Sequence, residues 1–149
     1  MTLKYRVEWD ASGIAAAKKR YDANVFGLIV RGAMGETLQA GRTFVVERTP
    51  VDTGKLSSSI FARLSGVAAG VIGTTVEYAR PVEEGWSAHE VVAKNAPVLA
   101  SYKGGKLAIY GKRVMIPAHG GAYMFRDSIP RITETMARVF RNHLGQALS

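Results

Sequence analysis

Cysteine is absent from the 149 residues, which excludes disulfide staples, thiolate metal sites and a thiol nucleophile. Assembly in a reducing cytoplasm is compatible with that absence. Long apolar runs are also missing. The most hydrophobic stretches are broken within a few residues by Gly, Arg or Lys, so no membrane span is expected. Met1-Thr2-Leu3-Lys4-Tyr5-Arg6 alternates apolar and charged residues and lacks the apolar centre of a signal peptide, so export is not expected either. Charged residues, at 21%, are slightly fewer than in an average soluble domain, yet 47% hydrophobic residues suffice for a core, which argues against disorder. The length fits one compact domain, read as residues 1–149.

The net charge is +8, and it is not gathered in a tail. Residues 1–75 carry ten Lys/Arg and six Asp/Glu, and residues 76–149 carry the same. Such a balance suits an anionic partner, but by itself it bears on solubility and nonspecific association rather than on sequence reading.

Leu3, Tyr5, Val7 and Trp9 alternate with Lys4, Arg6 and Glu8, the period-2 pattern of a half-buried strand. Asp10 or Ser12 can cap a helix start. Ile14, Ala17, Tyr21, Val25, Leu28, Gly32, Leu38 and Val45 then recur at helical steps, predicting a long amphipathic helix over about residues 12–48. Gly27, Gly32, Gly35 and Gly41 weaken it, with a kink or break expected near Gly32–Gly35 and room for another helix to approach. Pro50 stops the helix, and Pro50, Asp52 and Gly54 form a turn. Sheet and hairpin are expected over about residues 56–116: a strand from Leu56 to Leu64, a turn at Ser65-Gly66, a partner strand from Val67 to Gly73, and a short helix or turn from Val76 to Glu84 holding Pro81. Lys103-Gly104-Gly105-Lys106 is a hairpin turn, and Val114–Ile116 a further strand. Met124, Ile129, Ile132, Met136, Val139, Phe140 and Leu144 predict a C-terminal helix over about residues 122–147. The expected class is α+β: a long N-terminal amphipathic helix and a C-terminal helix packed on a mainly antiparallel sheet, with an extended β-hairpin.

Chemistry is hard to find. Gly54-Lys55 lacks the phosphate-loop context, with Thr49 where the first Gly belongs and Leu56 where a hydroxyl belongs. His89, His119 and His143 lie far apart without an i, i+4 partner, so no zinc set is expected. Glu77, Glu83 and Glu84 read as a solvated face or an interface partner rather than as a general acid–base pair. No Gly-x-Ser-x-Gly elbow occurs. Gly120-Gly121 suggests either an anion cradle before the last helix or a flexible loop leading into it. Lys103, Lys106, Lys112 and Arg113, interleaved with Tyr102 and Tyr110, form the densest basic patch. It reads as a solvated hairpin tip or a backbone-gripping surface, because no recognition helix or stacking motif accompanies it. No enzyme, metal or cofactor is expected.

Four segments, in order, carry a resemblance. They are Thr49-Pro50-Val51-Asp52-Thr53-Gly54-Lys55-Leu56-Ser57-Ser58-Ser59-Ile60; Val71-Ile72-Gly73-Thr74-Thr75-Val76-Glu77-Tyr78-Ala79-Arg80-Pro81-Val82-Glu83-Glu84-Gly85; the hairpin from Pro97 to Val114; and Ile116-Pro117-Ala118-His119-Gly120-Gly121-Ala122-Tyr123-Met124-Phe125-Arg126-Asp127-Ser128-Ile129. Together they resemble the small tail-component or tail-completion proteins of long-tailed bacteriophages, the minor tail protein Z-like group. That family runs P-V-D-T-G-x-L, then V-G-T-x-x-x-Y-A-x-x-V-E-x-G, then a Pro/Gly-rich loop and P-F-L-R-x-A-(L/I). The match spans about residues 49–140. The first two motifs are fairly specific together and weak alone. The chain departs from the family at residues 123–129 and at Trp86, which stands where a small polar residue is common. The resemblance implies a virion protein of the neck or upper tail, assembled in the host cytoplasm. It would work as a ring subunit, taken as hexameric, joining head to tail by contacts with its own copies and with other neck and tail proteins, and touching DNA in the lumen only nonspecifically. Interface residues are expected at Tyr78, Glu83, Trp86 and Phe125, with the hairpin Lys103, Gly104, Gly105 and Lys106 reaching a neighbour or the lumen. The free protein is expected to be monomeric or weakly associated. The alternative is a small basic nucleic-acid-binding module.

Overall fold

The structure, a computed structural model, describes residues 2–8 and 23–148. The expected cap at Asp10 or Ser12, and the helical stretch 12–22, lie outside the described residues. The class is α+β, with long helices at either end of antiparallel strands.

Strand β1 (Leu3–Glu8) alternates as its sequence predicts, with Leu3, Tyr5 and Val7 half-buried and Lys4, Arg6 and Glu8 exposed. It pairs antiparallel with β3 (Ala69–Thr74), and β3 pairs on its other side with β2 (Phe61–Leu64), giving the order β1-β3-β2. Helix α1 (Ala23–Arg48) lies against this sheet and against the C-terminal helix α4 (Ile129–Leu148). The core is Phe26, Val30, Met34, Leu38 and Val45 of α1, Ile72 of β3, and Ile132, Val139 and Phe140 of α4.

The buried face of α1 differs from the expected stripe. Val25 and Leu28 face out, Leu28 with 71% exposure, while Phe26, Val30 and Met34 are buried. Residues 25–30 hold five apolar side chains and one Gly, so spacing alone cannot choose a face there, and tertiary packing does. α1 also runs unbroken through Gly32 and Gly35, contrary to the expected break. The close helix approach is found at Gly41, where a Cβ would come within 3.2 Å of Ile132 Cγ1 and 2.6 Å of Ile72 Cδ1, and more loosely at Gly32, where it would lie 3.4 Å from His143 Cε1.

Past α1, the Thr49 hydroxyl donates to the Val45 carbonyl at 2.7 Å, and the chain turns at Pro50. The expected strand from Leu56 is instead a short helix, α2 (Lys55–Ser59), with β2 starting only at Phe61. The three serines suit the helix as well as they would a strand, and the left-handed Gly54 opens it. Ser57, Ser58 and Ser59 donate to the carbonyls of Gly54, Lys55 and Leu56 at 3.0, 3.1 and 2.7 Å, satisfying the turn from within. Gly54 opens this helix at φ 75°, ψ −4°, and the space around a Cβ there is empty. Only the left-handed backbone therefore resists substitution. Gly54→Ala should cost about 1–2 kcal/mol, with Gly54→Val costing more because a β-branched side chain fits that region worse. Chemical denaturation checks this, and an unchanged midpoint for Gly54→Val would contradict the turn.

Residues 85–120 form three nested antiparallel ladders, which together are called the ribbon below. β4 (Gly85–Trp86) pairs with β9 (His119–Gly120), β5 (His89–Val92) with β8 (Arg113–Ile116), and β6 (Leu99–Lys103) with β7 (Lys106–Gly111). The registers nest, from Gly85↔Gly120 through His89↔Ile116 to Lys103↔Lys106. The tip is the expected Gly104-Gly105 turn, with φ 59° and 77°, the doubly left-handed geometry that favours Gly at both positions. None of the ribbon's strands joins the three-stranded sheet.

The last helix begins later than expected. Residue Tyr123 takes φ 49°, a 3-10 turn covers Arg126–Ser128, and α4 starts at Ile129 with Pro130 in its first turn.

Candidate functional site

Two of the resemblance motifs meet at the base of the ribbon. Helix α3 (Ala79–Glu84) presents Glu83 inward, 2% exposed. Its carboxylate accepts the Phe125 amide at 3.0 Å and the Arg126 amide at 2.9 Å, and the Tyr5 hydroxyl donates to it at 3.4 Å. The neighbouring backbone adds Ala122 N–H to Val82 O at 2.8 Å and Tyr123 N–H to Glu83 O at 3.1 Å. Gly85 and Gly121 permit this crossing. A Cβ on Gly85 would lie 2.7 Å from the Gly121 nitrogen, and one on Gly121 would lie 2.7 Å from the Glu84 carbonyl carbon. Phe125 is buried and stacks on Tyr5, with ring centroids 4.7 Å apart. Burial, then the Glu83 carboxylate, pushes the Tyr5 phenol above its ordinary value.

Glu83 and Phe125 are therefore spent on the fold. Both were expected at an interface, but a carboxylate with its oxygens taken by backbone amides and a buried ring have little left for a partner. Of the two readings of Gly120-Gly121, a flexible loop or an anion cradle, the structure shows an anion near the lead-in to the last helix, supplied by the chain itself. That anion is Glu83, which accepts the amides of residues 125 and 126. Sequence spacing could not have paired positions 42 residues apart.

Tyr78 and Trp86 do lie on the surface. Trp86 stacks on His119 at 4.7 Å and donates its Nε1–H to Pro117 O at 3.0 Å, sealing the ribbon base. Tyr78 and Val82 line an open groove of about 480 Å³ whose other wall is the turn 50–56. Val51, at its lip, is 74% exposed. In this turn Thr53 Oγ1 accepts the Lys55 amide at 3.4 Å. A second, smaller cleft of about 170 Å³ lies between β1 and α4 and includes Tyr5, Val7, Ile132 and Met136.

Beyond the base, the ribbon exposes apolar side chains: Tyr102 at 74%, Leu107 at 62%, Ile109 at 65% and Met115 at 63%. Sequence reasoning noticed only the basic and aromatic residues there. The aliphatic ones were legible only as strand formers, because a strand pattern alone does not tell which face has a sheet to cover it. Arg113 pairs with Glu90 at 3.4 Å, and Ser101 bonds Tyr110 across the hairpin at 3.2 Å.

The histidines are dispersed. His89 Nδ1 faces Ser87 O, His119 stacks on Trp86, and His143 meets Glu36 at 2.9 Å. Among the described residues, no group of three or more His, Cys, Asp or Glu is placed to hold a metal ion. No helix among them is long and apolar enough to cross a membrane. No protein-family model, curated protein or solved structure matches this chain. What the arrangement offers chemically is contact surface: a groove, a buried clasp and an apolar, basic arm.

Proposed function

We propose that this chain is a non-enzymatic structural subunit of a tailed-phage virion, placed at the neck or upper tail and joining head to tail as a ring subunit. The observation that carries this reading is the apolar arm. A two-stranded ribbon is marginally stable in water at best, and clustered exposed apolar side chains mark a surface meant for a partner. The motif residues support it too. Glu83, Gly85 and Gly121 serve the clasp, and the turn 50–56 with Tyr78 builds an open groove, so they contribute shape rather than reactive groups. A ring of identical subunits needs two different faces on each copy, which arm and groove supply.

An arm variant tests the reading. In Leu107→Asp/Ile109→Asp the altered side chains are already in water, so the melting temperature should stay within about 4 °C of wild type, since two exposed substitutions shift stability by about 1 kcal/mol or less together. Incorporation into particles should be lost. Wild-type incorporation would contradict the arm's role. Head and tail morphogenesis genes on either side of the coding sequence would support the setting, and any other neighbourhood would weaken it.

One observation favours a second reading. Residues 89–116 hold five basic residues against the single acid Glu90. In that reading the arm grips nucleic-acid backbone without reading sequence. Affinity for short duplex DNA that falls steeply with salt would favour it, while weak binding at most fits the neck.

A further inference from the structure

The three-stranded sheet is left open at β1. Among the described residues no strand pairs with its outer edge, and none of the backbone hydrogen bonds made by turns and loops reaches it. The helical cover also runs out there. On β3, Ile72 and Thr74 are 1% and 0% exposed, whereas Leu3, Tyr5 and Val7 of β1 are only half-buried. The cleft of about 170 Å³ between β1 and α4 marks the shortfall. Its β1 wall is Tyr5, Arg6, Val7 and Glu8, successive residues whose side chains alternate between the two faces, so it runs out to the strand's edge. Exposed Ile129 and Thr133 of α4 line the other wall. Such an edge accepts an added strand, whose backbone continues the ladder and whose inward side chains cover the cleft.

The sequence of β1 indicates which strand, because it reads as its own complement when reversed. In an antiparallel pair centred on Arg6, Tyr5 and Val7 of one copy oppose Val7 and Tyr5 of the other on the inner face. On the outer face Lys4 and Glu8 oppose Glu8 and Lys4, and the one like-charged pair is Arg6 against itself. Other registers fit worse. A shift by one residue turns the second copy's inner face outward. Centring on Tyr5 sets Lys4 against Arg6 twice, and centring on Val7 leaves Lys4 and Tyr5 with no described residue opposite.

We propose that β1 pairs antiparallel with β1 of a second copy across a two-fold axis at Arg6, joining the two sheets into one in the order β2-β3-β1-β1-β3-β2. A two-fold contact is closed in itself and does not propagate into a ring, so it is separate from the faces a ring would use and does not depend on the virion reading. Only residues 4–8 oppose one another, so the association is weak and concentration-dependent.

Lys4, Arg6 and Glu8 are exposed, so replacing them leaves the core intact, and the chain has no cysteine of its own. Under mild oxidation at high concentration, Arg6→Cys protein should link to itself, because directly opposed Cβ atoms lie about 4.5–5.5 Å apart, close enough for a disulfide after a small adjustment. Lys4→Cys and Glu8→Cys proteins should each link to themselves only by random collision, since in this register like positions lie about 13 Å apart along the strand. Mixed, those two should link to each other. Sedimentation equilibrium adds a second readout. Lys4→Glu and Glu8→Lys should each weaken self-association roughly tenfold at low salt, because both outer pairs become like-charged, while an equimolar mixture should associate as the wild type does. Arg6→Cys linkage no faster than that of Lys4→Cys alone would overturn the proposal and leave the edge to another protein's strand. Preferential linkage of Arg6→Cys to Glu8→Cys chains would overturn the axis at Arg6, and a charge mixture as weak as its components would overturn the pairing of Lys4 with Glu8.

Discussion

Replacing Glu83 by alanine is expected to destabilise the protein by about 3–5 kcal/mol, a large share of the stability of an ordinary domain. The carboxylate is buried and accepts the Phe125 and Arg126 amides at 3.0 and 2.9 Å. Removing it leaves two donors without an acceptor, each costing about 1–3 kcal/mol when buried, and also releases the Tyr5 hydroxyl. Glu83→Gln is expected to fall between, because its amide keeps one acceptor oxygen but turns an NH2 toward a backbone N–H. Equilibrium unfolding in urea reads both. A Glu83→Ala protein within about 0.5 kcal/mol of wild type, the range of ordinary surface changes, would show that the carboxylate faces solvent and that the clasp is absent.

Gly85→Ala should be of comparable size, for a different reason. Gly85 sits at φ 81°, ψ −174°, a backbone conformation nearly confined to Gly, and a Cβ there meets the 119–121 backbone, which no side-chain rotation can relieve. Left-handed strain of about 1–2 kcal/mol and overlap of about 1–3 kcal/mol give a loss of roughly 2–5 kcal/mol. Since both residues hold the same strand crossing, Gly85→Ala combined with Glu83→Ala should cost clearly less than the two separately, because the second change acts on a clasp already open. Strict additivity in that cycle would mean that the two act independently.

Local chemistry carried much of the fold into the sequence. Alternation in Leu3–Glu8, the stop at Pro50, the positive φ at Gly54 and the Gly104-Gly105 turn all depend on neighbours in the chain, and each is found where its residues predict. Features that depend on distant partners were not legible. The rotation of α1 was set by Ile72 and the last helix, and residues 25–30 offered several apolar faces to choose among. The start of α4 was set by Glu83, whose pairing with residues 125–126 no local pattern announces. The serines at 57–59 read equally as the polar side of a strand or as back-bonding helix residues, and the left-handed Gly54 decides between them. At the candidate site, the turn and the arm were foreseen, Tyr78 and Trp86 lie on the surface, and Glu83 and Phe125 are interior.

The proposed role has this chain act through shape, with the groove and arm as its contact faces. Quantitative mass spectrometry of purified, DNA-filled particles, from whichever tailed phage the coding sequence is found in, tests the proposed role most directly. The chain should be present at a fixed, small number of copies per particle, constant between preparations, and it should remain after washes that strip loosely bound protein. Particles that are complete and infectious without it would contradict the account.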